Sequence, residues 1–334
     1  MSPTHRFLRA RFLLPLDDGI GRDKRIEDGY VLWQGDNIVE VGAYSPDVGT
    51  RLLASYGPTL EVVGSGTVGI SDVAALVQRP GALLPGFIKA HGHDHEPPII
   101  GLVKDVPLTR WLDGVVNPFT GFMADKGAEL TEMLGRSPQD VAYLKARVDD
   151  VYYGITTSMV HHCNFSKYFA DNLVAAAETA GTRMTVAVGS QDRHYYAKLL
   201  DTPAEAVARL DAYHERHGHK ERIRIIPGPD QFFSNGPEML TALKAWARAH
   251  GTLLHCHSSE EKQTTAWFRQ TFGMTPVEYG KSLGILDEAT VLAHQVHTTE
   301  GDLDILADTG TRIVHNPLAN TILGSGMPPV VEML

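Results

Sequence analysis

Cysteine is nearly absent: 334 residues include only Cys163 and Cys256. Two thiols cannot build a disulfide framework, and such sparse use points to a reducing, cytoplasmic setting. Positive charge is also in deficit. Thirty Lys and Arg stand against 40 Asp and Glu, a formal net charge of −10, and no basic run dominates. Nucleic acid is therefore not an expected partner. No apolar run approaches the ~20 residues of a membrane span, so no membrane partner is expected either. Near the N-terminus, apolar residues are broken by Arg9, Arg11, Asp17 and Asp18, and no signal peptide is expected. What remains is 43% hydrophobic and 21% charged, an ordinary globular composition. The length suits one large α/β domain with a small accessory domain.

Histidine, by contrast, is plentiful, with 16 residues. The most telling pair is His91-Gly92-His93, which closes the apolar run Ala82 to Ile88. Read as the end of a buried strand, it points both imidazoles to one face. Their α-carbons then lie about 6.6 Å apart, a gap that one ion at about 2.1 Å from each nitrogen can close. A surface turn or two packed core histidines are the competing readings.

Residues 5–45 read as β structure. Phe7-Leu8 and Phe12-Leu13-Leu14 suggest a hairpin-like unit, and the runs 29–33 and 37–42 flank a Gly35-Asp36 turn. Residues 46–80 read as an irregular, Gly-rich connection. The expected domains are therefore a small β domain with its connection over 1–80 and a larger domain over 81–334. In the larger one, strands are expected at 83–91, 155–161, 183–189, 223–229, 252–257, 290–294 and 311–315. Helical stretches separate them: 137–153, 170–180, 203–216, 237–250, 265–272 with 276–283, and 300–308. Residues 327–334 read as the seventh helix. Alternation of this kind predicts a parallel sheet covered on both faces. The fold expected is a (β/α)8 TIM-type barrel, apparently truncated after the seventh βα unit. An open doubly wound sheet is the alternative.

In such a barrel, functional residues gather at the C-terminal ends of strands. Histidines fall at the first, fifth, sixth and seventh expected ends: His91 and His93; His255 and His257, followed by Glu260; His294 and His297; and His315. His161 and His162 end the second strand. The two cysteines have no base at a spacing that would mark a nucleophile, and they read as packing residues.

The ordered set Leu84-Pro-Gly-Phe-Ile-Lys-Ala-His-Gly-His93, Pro107 to Leu112, Gly154-Ile-Thr-Thr157, His257-Ser-Ser-Glu260, Ser282 to Glu288, Ala293-His-Gln-Val-His297 and Val314 to Gly326 resembles the amidohydrolase superfamily. Within it, the likeness is to the cyclic-amidine deaminases and chlorohydrolases, including relatives of guanine deaminase and S-adenosylhomocysteine deaminase. The resemblance implies that His91, His93 and His257 hold one divalent ion, zinc by preference. His255, two residues earlier on the same face, competes with His257 for that role. Glu260 matches the proton shuttle, and His294 the histidine that activates water or holds a polar atom of the substrate. A mononuclear site is implied, since no lysine follows the fourth strand in a bridging position. The activity implied is hydrolytic deamination of a purine, pyrimidine or triazine ring, with metal-activated water attacking a C–N carbon. Chlorohydrolase or amide hydrolase chemistry on a similar ring is the alternative. The resemblance also suggests a homo-oligomer.

Several residues fall outside that transfer. Gln231 and Phe232, in the loop Asp230 to Ser234, read as candidates to bind and stack a planar ring, with a plain polar loop on an aromatic anchor as the competing reading. Trp111 and Phe119 lie where the resemblance implies pocket walls, with helix packing as the competing reading for Trp111. His95, in Asp94-His95-Glu96, reads as a pocket residue, an extra ligand or part of a solvated turn. The resemblance further expects an aspartate ending an eighth strand. Asp302 and Asp308 lie in a helical segment and substitute poorly for it. A catalytically silent or partner-completed barrel subunit is the reading this feature motivates.

Overall fold

The structure, a computed structural model, describes residues 4–334. Two compact units divide the chain, Met1–Gly86 and Phe87–Leu334.

The first unit is a five-stranded sheet. Its strands are β1 (His5–Leu13), β2 (Ile26–Gln34), β3 (Asn37–Ala43), β4 (Leu60–Val62) and β5 (Gln78–Leu83). The order is β3-β2-β1-β4, and β5 also pairs with β1. The Gly35-Asp36 turn joins β2 to β3 as a hairpin with Gln34 opposite Asn37, Gly35 taking φ +57°. The hairpin expected within residues 7–14 is instead one strand, which pairs with β2 from His5 to Leu13. Nor is 46–80 irregular. It contains a helix, Pro46–Tyr56, capped by the Ser45 side chain with Pro at the first helical position. That helix is the crossover that lets β4 run parallel to β1. Phe7, Tyr30, Leu32, Leu52 and Leu60 form the core. A division at residue 80 would cut β5, which belongs to this sheet.

The second unit carries the chemistry. Strands β6 (Phe87–Lys89), β7 (Ile155–His162), β8 (Arg183–Ser190) and β9 (Ile223–Pro229) form one sheet in sequence order. Strands β10 (Leu254–Ser258), β11 (Thr290–His294) and β12 (Arg312–Val314) form another. All pairs are parallel, and a bridge between Gln231 and His257 joins the sheets. Helices follow the strands, including Pro138–Tyr152, Ala170–Ala180, Pro203–His217, Pro237–Ala249 and Glu300–Thr309. They pack Tyr143, Leu173, Leu210, Leu243 and Leu306 against strand residues such as Val160, Val186, Ile225 and Leu292. The helix after β12 is Pro317–Ile322, whereas residues 327–334 hold only the short turn Val330–Met333.

The strand expected at 83–91 is broken. Leu83 ends β5, and β6 is three residues long, so His91 and His93 lie beyond it. Alternation along a strand therefore does not orient them; the loop's own contacts do. Among the described residues, no helix is long and apolar enough to cross a membrane.

Candidate metal centre

The C-terminal ends of β6, β7, β9, β10, β11 and β12 converge on a cavity of about 400 Å³. His91, His93, Asp230, Gln231, His257, Glu260, His294 and His315 line it.

The His91–His93 loop is clamped to the end of β7. The His161 backbone N–H donates to the Gly92 carbonyl at 2.8 Å. In return, His93 Nδ1 donates to the His161 carbonyl at 2.9 Å. His257 is held the same way, its Nδ1 donating to the Asp230 carbonyl at 2.6 Å. Both rings are thus fixed in the tautomer whose Nε2 carries a lone pair. Those two Nε2 atoms face each other 3.3 Å apart. With no proton left to share, the lone pairs repel. Two nitrogens bound at 2.0–2.1 Å around a tetrahedral ion would themselves stand about 3.3 Å apart. His91 completes the triad: one nitrogen of each of these three histidines lies within 4.8 Å of the others. The donor set fits a divalent ion such as zinc.

His255 does not join the triad. Its Nε2 meets His91 Nδ1 at 3.1 Å, and its Nδ1 meets His161 Nδ1 at 2.9 Å. The chain His91–His255–His161 orients His91 from behind. Burial pushes His93 down to about 4 and His255 to about 3. Burial and the surrounding histidines hold His91 and His257 well below their ordinary value. All are neutral at pH 7, as metal ligands must be.

Glu260 and His294 sit beside the triad. Burial, with a contribution from Glu261, raises Glu260 to about 8. That places its protonation change near neutral pH, as a proton shuttle requires. His294 Nδ1 lies 2.7 Å from Asn320 Oδ1 and 3.6 Å from Glu260 Oε1, which leaves its Nε2 for the cavity. The His294 backbone is left-handed, with φ +77°, a conformation that costs a non-glycine residue roughly 1–3 kcal/mol. Asn320, in the helix after β12, had no sequence signal linking it to His294.

The remaining expected residues divide. Gln231 and Trp111 line the cavity. Phe232 does not: it is 3% exposed and belongs to the hydrophobic core, where its ring lies near Gly280. It is not available to stack on a substrate. Phe119 packs around Ile99 and Val116. His95 is fully buried and does not line the cavity. Asp94 is 1% exposed, which rules out the solvated-turn alternative for this segment. It pairs with the buried Arg147 and, at 3.4 Å, with Lys89. Arg147 also reaches Asp150 at 2.8 Å and donates to Ser158 at 3.0 Å. The residue after His93 is thus anchored by charge to the helix 138–152. Sequence reasoning missed Asp230 and left His161 unassigned. Burial and Glu260 raise Asp230 to about 7, and it lies 4.0 Å from His161 Nε2.

Over 315 residues the chain is 30% identical to a 5-methylthioadenosine/S-adenosylhomocysteine deaminase of Caldanaerobacter subterraneus subsp. tengcongensis, covering 93% of this chain and 63% of that one. It is also 30% identical to a 5′-deoxyadenosine deaminase of Methanothermobacter thermautotrophicus, covering 81% of this chain and 59% of the other. The chain therefore spans about three fifths of the length of these relatives. The fold matches that of a zinc-complexed atrazine chlorohydrolase from Arthrobacter aurescens, with TM-score 0.78, 23% identity and coverage of 98% and 69%. It also matches guanine deaminase of E. coli, with TM-score 0.77, 21% identity and coverage of 99% and 71%. The amidohydrolase family profile matches residues 82–334. The chain belongs to the amidohydrolase family.

Proposed function

We propose that this chain carries the centre of a hydrolytic deaminase acting on an aromatic nitrogen heterocycle, and within that class on the 6-aminopurine ring of an adenine nucleoside. The facing Nε2 atoms of His93 and His257, with Glu260 and His294 beside them, carry this reading. The names of the related methylthioadenosine and deoxyadenosine deaminases favour the ring.

In this reading His91, His93 and His257 hold one zinc ion. Such an ion supplies Lewis acidity and brings the pKa of water down toward ~7. Glu260 takes a proton from the attacking water and delivers it to the ring nitrogen or the departing amine. His294, steadied by Asn320, offers its Nε2 where charge develops on the attacked centre. Gln231 and Trp111 bound the ring's space. Strands β6 to β12, parallel and in order, are the wall of a (β/α)8-type barrel, the hydrolase domain, which follows a small β domain that ends beyond β5. A cytoplasmic homo-oligomer is the expected state.

The test is ammonia release by zinc-loaded protein from adenosine, 5′-methylthioadenosine, S-adenosylhomocysteine and guanine, with chloride release from a chlorotriazine in parallel. Ammonia from a purine, lost in Glu260→Gln, supports the reading. Chloride release alone moves the assignment to chlorohydrolase chemistry. Neither product from protein with bound zinc would sink it.

A further inference from the structure

We propose that the cavity adjoining the metal centre receives a protonated amine carried on the substrate's substituent, with the Glu261 carboxylate as its counter-ion. This rests on the deaminase reading for the ring and adds what the ring carries. The second cavity has a volume of about 410 Å³. Leu108, Leu112, Asp230 and Gln231 line both it and the first, so the two spaces adjoin. Glu260 lines the first and Glu261 the second. Consecutive carboxylates thus serve separate spaces, one beside the reacting ring and one where a substituent extends.

The state of Glu261 points to a cation. The residue is 7% exposed. Among the described residues, its carboxylate has one hydrogen-bond contact, the Thr109 hydroxyl, 3.2 Å from Oε2 and 3.5 Å from Oε1. Both distances exceed the roughly 2.5–3.0 Å of a sound O–H···O bond. Nor does any Lys or Arg pair with it among those residues. A buried carboxylate left this way costs free energy, which a paired cation offsets. The walls suit such a cation. Asp113 also lines the cavity, and no described Lys or Arg does. Tyr195, Tyr196 and Phe233 add aromatic rings, whose negative faces attract positive charge. His194 stacks on Phe233 with ring centroids 4.5 Å apart. Burial and the neighbouring Arg193 hold His194 below its ordinary value, so it is neutral at pH 7 and does not oppose a cation. A hydroxyl would donate to Glu261 but leave its charge unbalanced, and a phosphate would meet like charge. An ammonium both donates and neutralises.

The experiment is calorimetric binding to the zinc-loaded full chain carrying Glu260→Gln, which stops turnover, with ammonia release by the unaltered chain measured in parallel. The probes are 5′-amino-5′-deoxyadenosine, adenosine and adenosine 5′-phosphate. They place an ammonium, a hydroxyl or a phosphate on the 5′ carbon, the end of the sugar remote from the base. The amine should bind roughly tenfold tighter than adenosine or better, the scale of one charged hydrogen bond. The phosphate should bind more weakly than adenosine. Adding Glu261→Gln should bring the amine and adenosine to equal affinity, whereas Glu261→Asp, which keeps the charge, should retain a preference for the amine. No preference for the amine with Glu261 in place overturns the inference. So does a preference that survives Glu261→Gln, or a phosphate that binds tightest of the three. Amine-selective binding with no ammonia released from any probe sinks the deaminase reading and leaves this inference standing.

Discussion

Glu260 and His294 differ in what each can lose. Glu260→Gln removes the proton carrier but leaves the histidines intact. Ammonia release is expected to fall roughly 10²–10⁴-fold with bound zinc unchanged, as steady-state kinetics beside metal analysis will read. A parallel loss of zinc would mean that Glu260 supports the ion instead. Phe232 gives the opposite contrast. Phe232→Ala leaves a cavity in the core and should cost about 3–5 kcal/mol of stability, measurable by chemical denaturation, with little change in KM. The two residues also show what sequence can reveal. Glu260 was readable because it follows His257 at a local spacing. Phe232 was left open between ring-stacking and anchoring the loop, because a loop position does not reveal which side chain turns inward; it is the anchor. His161 and Asn320 were illegible as partners: their contacts with His255 and His294 span 94 and 26 residues, and no local pattern encodes them.

Among the elements, helices with strong end signals were the most legible. Ala170–Ala180 is found at its expected limits, ended by Gly181 in a left-handed conformation. Pro203–His217 carries a capping box in which Thr202 and Glu205 cap each other's backbone. Thr202→Ala should cost about 1 kcal/mol, read as a shift in denaturation midpoint. The helix Pro46–Tyr56 was overlooked because Gly49 and the surrounding glycines suggested a loop. Gly49 makes room there: a Cβ would fall 2.3 Å from the Tyr44 hydroxyl and 2.9 Å from Val73 Cγ1, so both side chains would have to shift. The His91–His93 loop was recognised as a metal motif on a strand it does not occupy. The ion pair between Asp94 and Arg147 does the holding instead. Arg147→Ala leaves the buried Asp94 with only Lys89, at 3.4 Å, a change expected to cost about 3–5 kcal/mol. In β2, Tyr30 is raised to about 12 by burial and by the Glu40 carboxylate that accepts its hydroxyl. Its stabilising effect is complete below the unfolded value near 10 and is lost as pH rises through 12. Tyr30→Phe should remove that part of the alkaline decline in stability.

At the scale of the whole molecule, parallel strands in sequence order bring residues from His91 to His315 around one cavity. Strand alternation and helix periodicity announced that order, because strands buried on both faces read as apolar runs. Ion binding couples the site to the fold. Zinc at 100 times its Kd should stabilise the native state by about 2.7 kcal/mol, raising Tm, and His257→Ala should abolish the rise.

The most direct test of the central claim is ammonia release from an adenine nucleoside, measured after chelation and again after zinc is restored. The account predicts that chelation stops release, that zinc restores it, and that His257→Ala prevents restoration. Release that continues at full rate in protein shown to be free of metal would contradict it.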